Sequence, residues 1–249
     1  MSTGMPAGMS LIYAADARPN GADIARIAAG VATAMPRFSI SHQPPQGEGW
    51  LELLSSGLTF DLSGLAPAAP LPLAEWRHAF GFSGDVPQAP CAVGLVPGPH
   101  LSGGKAMMPV VRTMVGLAAS LAAGTQAQAI AWHPARSLIE PALFCRIITA
   151  WLAGGAFPAL GLTALARDPD GGLRSEGLAF FTGQELRIEP DMGKSEDAAR
   201  LAVRLIDALV TRGPVSAPFA MTMPDGGGLQ LAPSANGRYV RAWRGESET

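Results

Sequence analysis

The sequence predicts an α+β fold in which mostly antiparallel sheets have helices packed on one face. Short apolar runs recur on either side of Gly-, Asp- or Ser-containing turns, and this pattern is typical of β-hairpins. Longer stretches with apolar residues at helical spacing, such as residues 107–123 and 194–211, lie between these runs. Hairpins that alternate with helices favour antiparallel sheets over a purely parallel one.

In the first half of the chain, the pattern predicts the order β-α-β-β-β. The elements are a strand at 11–15, a helix at 22–35, a strand at 38–41 and a hairpin of 50–54 with 58–62. A connector at 66–72 is rich in Pro and Ala, and residues 73–80 are predicted to form a short helix. Several breakers at 81–90 indicate a soft boundary. The predicted halves are residues 1–85 and 86–249, which could also form one continuous domain.

The second half is predicted to alternate strands and helices and to end in hairpins. The elements are a strand at 91–96, a helix at 107–123, a strand at 127–132, a helix at 138–153, a hairpin of 159–166 with 177–181, a strand at 185–189, a helix at 194–211, a hairpin of 219–223 with 229–231, and a strand at 239–243. Both halves could be variations on one βαββ theme.

Composition excludes several classes of protein. The 249 residues carry a net charge of −2, so no strongly basic field would attract nucleic acid or an anionic membrane. The longest apolar stretch, residues 106–132, is interrupted by polar residues and falls short of the roughly 18 apolar residues that a membrane span needs. Two separated cysteines indicate free thiols in a reducing compartment. Without an apparent export signal, we expect a soluble, cytoplasmic bacterial protein.

The most specific pattern lies at residues 173–189, which read LRSEGLAFFTGQELRIE. It resembles the uncharacterised bacterial family called domain of unknown function 4261, which shows a Thr-x-Gly-Met element, a Phe-Gly pair and a Pro-Glu-Leu-Glu-Ile strand followed by a helix. The residues that carry the resemblance are Ser175 at the Thr position, Gly177, Leu178, Phe181, Glu185, Leu186 and Ile188.

This chain departs from the family pattern at Thr182, Gln184 and Arg187, where Gly, Pro and a second acid are usual. The resemblance covers roughly the second half of the chain. It implies no activity that can be transferred. An association of the family with bacterial toxin–immunity loci implies a toxin as a partner.

The loop at residues 98–105, GPHLSGGK, lies where a phosphate-binding loop would lie, between a strand and a helix. Pro99 removes an amide donor and Ala106 cannot hold Mg²⁺, so a flexible loop is favoured. Ser102 is also a poor nucleophile, because His100 occupies the position where a nucleophile elbow needs Gly. The four histidines show no metal-ligand spacing. We therefore predict no cofactor and no metal.

His133, Glu140 and Glu185 are the remaining candidates for chemistry. They could form a metal or acid–base site if their strands are neighbours, and the alternative is a hydrogen-bonded histidine at a strand end. Glu185, Arg187 and Glu189 share the outward side of one predicted strand. This arrangement indicates a docking surface, with a solvated or ion-paired edge as the alternative.

The last predicted strand interleaves arginines with aromatic residues. Arg238, Arg241 and Arg244 alternate with Tyr239 and Trp243, a pattern that could stack nucleic-acid bases. The overall charge argues against nucleic acid, and amphipathic packing of an edge strand explains the pattern better.

Three hypotheses about function follow from these patterns. The preferred one is a non-catalytic protein-binding module, with a toxin as a candidate partner and no membrane or nucleic-acid partner. The second is a hydrolase or metal-assisted enzyme that uses His133, Glu140 and Glu185. The third is a subunit of a homo-oligomer whose interface is hidden in the large apolar content.

Overall fold

The computed structural model describes residues 8–30, 36–87, 90–193, 197–222 and 227–245. The chain divides into two compact units, Met1–Gly155 (unit 1) and Ala156–Thr249 (unit 2). The division thus lies far beyond residue 85, where the sequence indicated a boundary. Strands from both sides of residue 85 pair in one sheet of unit 1, and their backbone hydrogen bonds join the two segments.

Unit 1 contains an eight-stranded sheet. Its strands are β1 (Met9–Tyr13), β2 (Ser39–His42), β3 (Trp50–Ser55), β4 (Leu58–Ser63), β5 (His78–Phe80), β6 (Cys91–Pro97), β7 (Ala129–Trp132) and β8 (Ser137–Ile139). Their order is β2-β3-β4-β6-β1-β7-β8-β5, and neighbouring strands are antiparallel except for the parallel pair of β5 and β8. All five residues of β1 are buried, which fits its place inside the sheet.

In the described part of unit 1, the α-helices are α1 (Gly21–Gly30), α2 (Met108–Gly124) and α3 (Pro141–Leu152). Helix α2 contacts the sheet as well as α1 and α3. Its middle is therefore buried on all sides, which explains why this stretch of sequence is apolar all round. Residues 31–35 of the predicted first helix lie outside the described residues.

The other face of this sheet is covered by an extended segment, residues 64–87, and the prediction of a helix at 73–80 is wrong. Leu73, Trp76, Phe82 and Val86 of the segment pack on a sheet face that is built from Ile12, Ala92, Ala129, Ala131 and Leu138. Small side chains on that face let an extended chain lie close to it. The segment ends in β5, which pairs with β8 instead of forming a helical turn.

The helix predicted at 138–153 begins later than expected. Residues 137–139 form β8, and α3 starts at Pro141. Glu140 is the N-cap, since its carboxylate accepts hydrogen bonds from the backbone N–H groups of Ala142 and Leu143 at 2.9 and 2.6 Å. Two apolar residues of a strand directly before a helix are not distinguished from a helical turn by spacing alone.

In the described part of unit 2, a six-stranded sheet is accompanied by one helix of 15 residues and by short helices of four residues each. The elements are α4 (Ala159–Leu162), β9 (Ala164–Arg167), β10 (Leu173–Glu176), α5 (Ala179–Thr182), β11 (Glu185–Ile188), α6 (Pro190–Gly193), α7 (Ala198–Arg212), β12 (Phe219–Thr222), β13 (Gly228–Pro233) and β14 (Tyr239–Arg244). The strand order is β12-β13-β14-β11-β10-β9, with β11 and β14 parallel and the other pairs antiparallel.

Helix α7 packs its apolar stripe on β10 and β11. We call the opposite side of this sheet the open face. The start of the predicted helix, residues 194–196, and residue 223 of the predicted last hairpin lie outside the described residues.

A hairpin around Asp168–Gly172 is present, but its strands are β9 and β10 and not residues 159–166 and 177–181. Residues 159–162 of the predicted first strand form α4. Gly177 has a φ of 96°, a backbone conformation that ends the strand. Residues 179–182 then form α5.

The architecture confirms the predicted α+β class with mostly antiparallel sheets. Among the described residues, no helix has both the length and the apolar character needed to cross a membrane.

Tyr13 gives unit 1 a testable dependence on alkaline pH. Burial raises the pKa of Tyr13 from 10.0 to about 12, although its hydroxyl bonds Thr125 Oγ1 at 2.9 Å. The Tyr13 hydroxyl therefore stays protonated to a higher pH in the folded state than in the unfolded state. We expect the free energy of unfolding to fall between about pH 10 and pH 12, by about 1.4 kcal/mol per pH unit from this group.

Urea unfolding of wild type and Tyr13→Phe over this pH range measures the effect. The variant should lose about 1 kcal/mol at neutral pH, where one hydrogen bond is removed, and should lack the alkaline slope that Tyr13 causes. An unchanged slope in Tyr13→Phe would refute the assignment.

Candidate functional site

The carboxylate of Glu185 is engaged with the loop that precedes it. Its two oxygens accept hydrogen bonds from Ser175 Oγ at 2.5 Å and from the backbone N–H groups of Gly177, Leu178 and Ala179 at 2.9, 3.1 and 3.1 Å. These donors belong to the end of β10, to the turn and to the start of α5, so one carboxylate holds the turn in place. The carboxylate that the sequence placed on a docking surface thus has a structural role.

Ser175 explains why a hydroxyl belongs at this position of the 173–189 pattern. It is fully buried, donates to Glu185 and accepts from the backbone N–H of Leu186 at 2.8 Å. A residue here must both donate and accept inside the protein, which a Ser or Thr hydroxyl does. Leu186 and Ile188 are buried next to it. The pattern therefore encodes a packed turn between two strands.

Arg187 and Glu189 lie in a network of ion pairs at the open face. Asp168 Oδ2 lies 2.5 Å from Arg187 Nη1, and Asp170 also pairs with Arg187. Asp168 holds Arg174 as well, at 3.2 Å. The backbone N–H of Gly172 and the Arg187 guanidinium lower the pKa of Asp170. The acidic turn thus neutralises the two arginines of β10 and β11.

Glu189 connects this network to β14. Its Oε1 lies 2.5 Å from Arg241 Nε and 3.8 Å from Arg187 Nε. The hydrogen bond from Arg241 to Glu189 raises the pKa of the Arg241 guanidinium. The register pairs Arg174 with Arg187, and Arg187 with Arg241, so a row of arginines crosses three strands on one side of the sheet.

Strand β14 lies between β13 and β11, so the interpretation of residues 239–243 as an edge strand is wrong. Tyr239, Arg241 and Trp243 alternate along it and therefore share the open face. The side chain of Arg241 is 53% exposed, and both aromatic residues are half-buried. Residues 239–243 therefore form the middle of a sheet surface and not a packed edge.

His133 and Glu140 belong to unit 1 and Glu185 belongs to unit 2. His133 is 7% exposed, and its Nε2 lies 3.0 Å from the hydroxyl of Ser10. Glu140 is occupied as the N-cap of α3. In the part of the chain that the structure describes, no group of three or more His, Cys, Asp or Glu side chains is arranged to hold a metal ion.

Residues 99–104 of the glycine-rich loop form a 3₁₀ helix between β6 and α2. His100 lies 3.4 Å from Thr59 Oγ1 on β4, so it points to a strand and not to Ser102. The loop therefore supplies no Ser–His pair.

One charged arrangement was not selected from the sequence, although the predicted hairpin of 50–54 with 58–62 contains both of its acids. Glu52 on β3 lies directly opposite Asp61 on β4, and His42 on β2 lies opposite Glu52. Burial and the Glu52 charge raise the pKa of Asp61, while His100 lowers it. Only the strand register brings these residues together, because nine positions separate the two acids in the sequence.

The chain matches no protein-family model, and no curated protein or solved structure is significantly similar to it. The resemblance to domain of unknown function 4261 therefore stays a prediction.

Glu185→Gln tests the role of the carboxylate as an anchor. The amide presents a donor to groups that are themselves donors, so we expect the free energy of unfolding to fall by about 2–4 kcal/mol. Asp191→Asn makes the same chemical change at an exposed position in α6 and should cost less than about 0.5 kcal/mol. Thermal or urea unfolding measures both. Equal effects of the two variants would show that Glu185 is not an anchor.

Asp61→Asn should stabilise the protein at neutral pH by about 0.5 kcal/mol, since it removes a charge that faces Glu52. The folded-state pKa of Asp61 is raised, so the wild type regains this stability as the pH falls through that pKa. Asp85→Asn, at an exposed position of unit 1, is the control. Unfolding curves at neutral and acidic pH compare the three proteins. A stabilisation that persisted at acidic pH would contradict the repulsion between Glu52 and Asp61.

Proposed function

We propose that this chain is a non-catalytic protein-binding module that docks its partner on the open face of the unit 2 sheet. The observation that carries the proposal is the row of Tyr239, Arg241 and Trp243 on β14. Tyr, Arg and Trp are the residue types that dominate binding energy in protein interfaces. Here they lie side by side on a regular strand, which holds them in place before binding and lowers the entropy that binding costs.

The neighbouring strands support a docking role in the same way. Arg187 and Glu189, two residues of the predicted docking surface, lie beside Arg241, and their ion pairs fix their positions. On the other side, Arg241 is paired in register with Ala232, and Trp243 with Gln230. Small and neutral side chains there leave room for a partner next to the row.

The enzymatic alternative has less support. A site made from His133, Glu140 and Glu185 would need side chains that already bond Ser10, cap α3 and anchor the turn at residues 175–179. Removing Glu140 or Glu185 from those roles leaves backbone N–H groups without acceptors, at a cost of about 1–3 kcal/mol each. A toxin as the partner, which the family resemblance implies, is compatible with the binding proposal.

Affinity capture from the source cells tests the proposal with one variant and one matched control. Wild-type protein should retain a stoichiometric protein partner, and Trp243→Ala should weaken its retention by about tenfold or more. Trp50→Ala removes a half-buried tryptophan from β3 of unit 1 and should leave retention unchanged. Circular dichroism verifies that both variants are folded.

Two outcomes would contradict the proposal. One is a folded wild-type protein that retains no partner, and the other is a partner whose retention Trp243→Ala does not change. Light scattering on the same samples tests the oligomer hypothesis, which predicts a mass above that of one chain without any partner. Metal analysis of the purified protein tests the metal-assisted enzyme.

A further inference from the structure

We propose that the segment which docks on the open face is acidic, with Asp or Glu side chains next to an apolar residue. This inference rests on the proposed function and names the chemistry of the partner. It follows from the hydrogen-bonding groups that the open face offers around Arg241 and from the charges of the strands that form it.

Several side-chain donors on the open face of β14 have no acceptor among the described residues. Within the described residues, Glu189 takes only Nε of Arg241, and no side chain or carbonyl accepts from its Nη1 or Nη2. The hydroxyl of Tyr239 and the indole N–H of Trp243 likewise have no hydrogen-bond partner in the described part of the chain. Docking that buries these groups requires a partner that supplies acceptors.

The charges of this region point to the same chemistry. On the open face of β12, β13 and β14, the described residues apart from Arg241 are uncharged: Ala220, Thr222, Gly228, Gln230, Ala232, Tyr239 and Trp243. Among the described residues, the carboxylate that pairs with Arg241 is that of Glu189, which directly follows β11. The same carboxylate also pairs with Arg187. A carboxylate of the partner can pair with the terminal nitrogens of Arg241 and form two parallel hydrogen bonds.

The side chains on either side of Arg241 define what accompanies the acid. Tyr239 and Trp243 lie two residues before and after it on the same face, where their rings provide apolar contact. Across β13 and β12 the face continues with Ala232, Gln230 and Ala220, which are small or neutral. An extended segment of the partner can therefore lie over this part of the open face. Its acidic side chain would contact Arg241, and its apolar side chains would contact the rings of Tyr239 and Trp243.

A nucleic acid is the other acidic macromolecule that an arginine–aromatic surface could bind. The described geometry favours protein, because Arg174 and Arg187 are already neutralised by Asp168 and Asp170. A groove that tracks a phosphate backbone needs several free cations in line, and the net charge of the chain is −2.

Selection of random displayed heptapeptides on the full-length protein tests the inference. We expect an enriched consensus with Asp or Glu beside an apolar residue. The selected peptide should bind Arg241→Gln about tenfold more weakly than wild type, and its affinity should fall when NaCl rises from about 50 to about 300 mM. Arg204→Gln removes an exposed arginine from α7, away from the open face, and should bind like wild type.

The outcomes separate the inference from the proposed function. A consensus without acids, or an affinity that Arg241→Gln does not change, overturns the acidic partner, while the docking surface stands if Trp243→Ala still abolishes binding. If the affinity of the selected peptides changes in neither Arg241→Gln nor Trp243→Ala, the docking surface is overturned as well. An oligothymidylate that binds more tightly than the peptide, with the same dependence on Arg241, overturns the protein partner in favour of a single-stranded nucleic acid.

Discussion

The Glu185 carboxylate is the interaction on which the arrangement of unit 2 depends. It accepts one hydroxyl and three backbone N–H groups from residues 175–179, so it determines where β10 ends and α5 begins. Because Glu185 is also the first residue of β11, and its own N–H donates to the carbonyl of Arg238, the same residue aligns β11 with β14. The side-by-side placement of Arg187 and Arg241 is a consequence of that alignment. A residue that the sequence indicated as a binding group thus positions the surface that we propose for binding.

Unit 1 depends on a different constraint, the close approach of an extended segment to its sheet. A side chain at Gly64, whose φ is 89°, would place its Cβ 2.7 Å from the carbonyl oxygen of Ala92. At Gly94 a Cβ would lie 2.6 Å from Leu71 Cδ1. Glycine at these two positions lets the segment cover the sheet, and the helices are then required on one face only.

The side chains that the sequence selected as candidate site residues divide by role. Glu140 and Glu185 satisfy the N–H groups of a helix start and a turn, and His133 bonds Ser10. Arg187 and Glu189 lie at the surface and are held by ion pairs. A charged residue in a sequence pattern can belong to either class, because helix caps, turn anchors and binding groups use the same side chains. Hydrogen-bond partners distinguish them.

The sequence by itself determined the α+β class, most of the strands, the extent of α2 and the end of α7, because alternation and helical spacing depend on local residues. It also indicated the turn at 168–172 and strand β11. Tertiary structure decided that residues 73–80 are extended, that the units divide at Gly155 and that β14 lies inside a sheet. These features depend on strand order and register, which are set by contacts between residues far apart in the chain. The neighbours of Arg241 are therefore a property of the folded sheet, and no local pattern contains them.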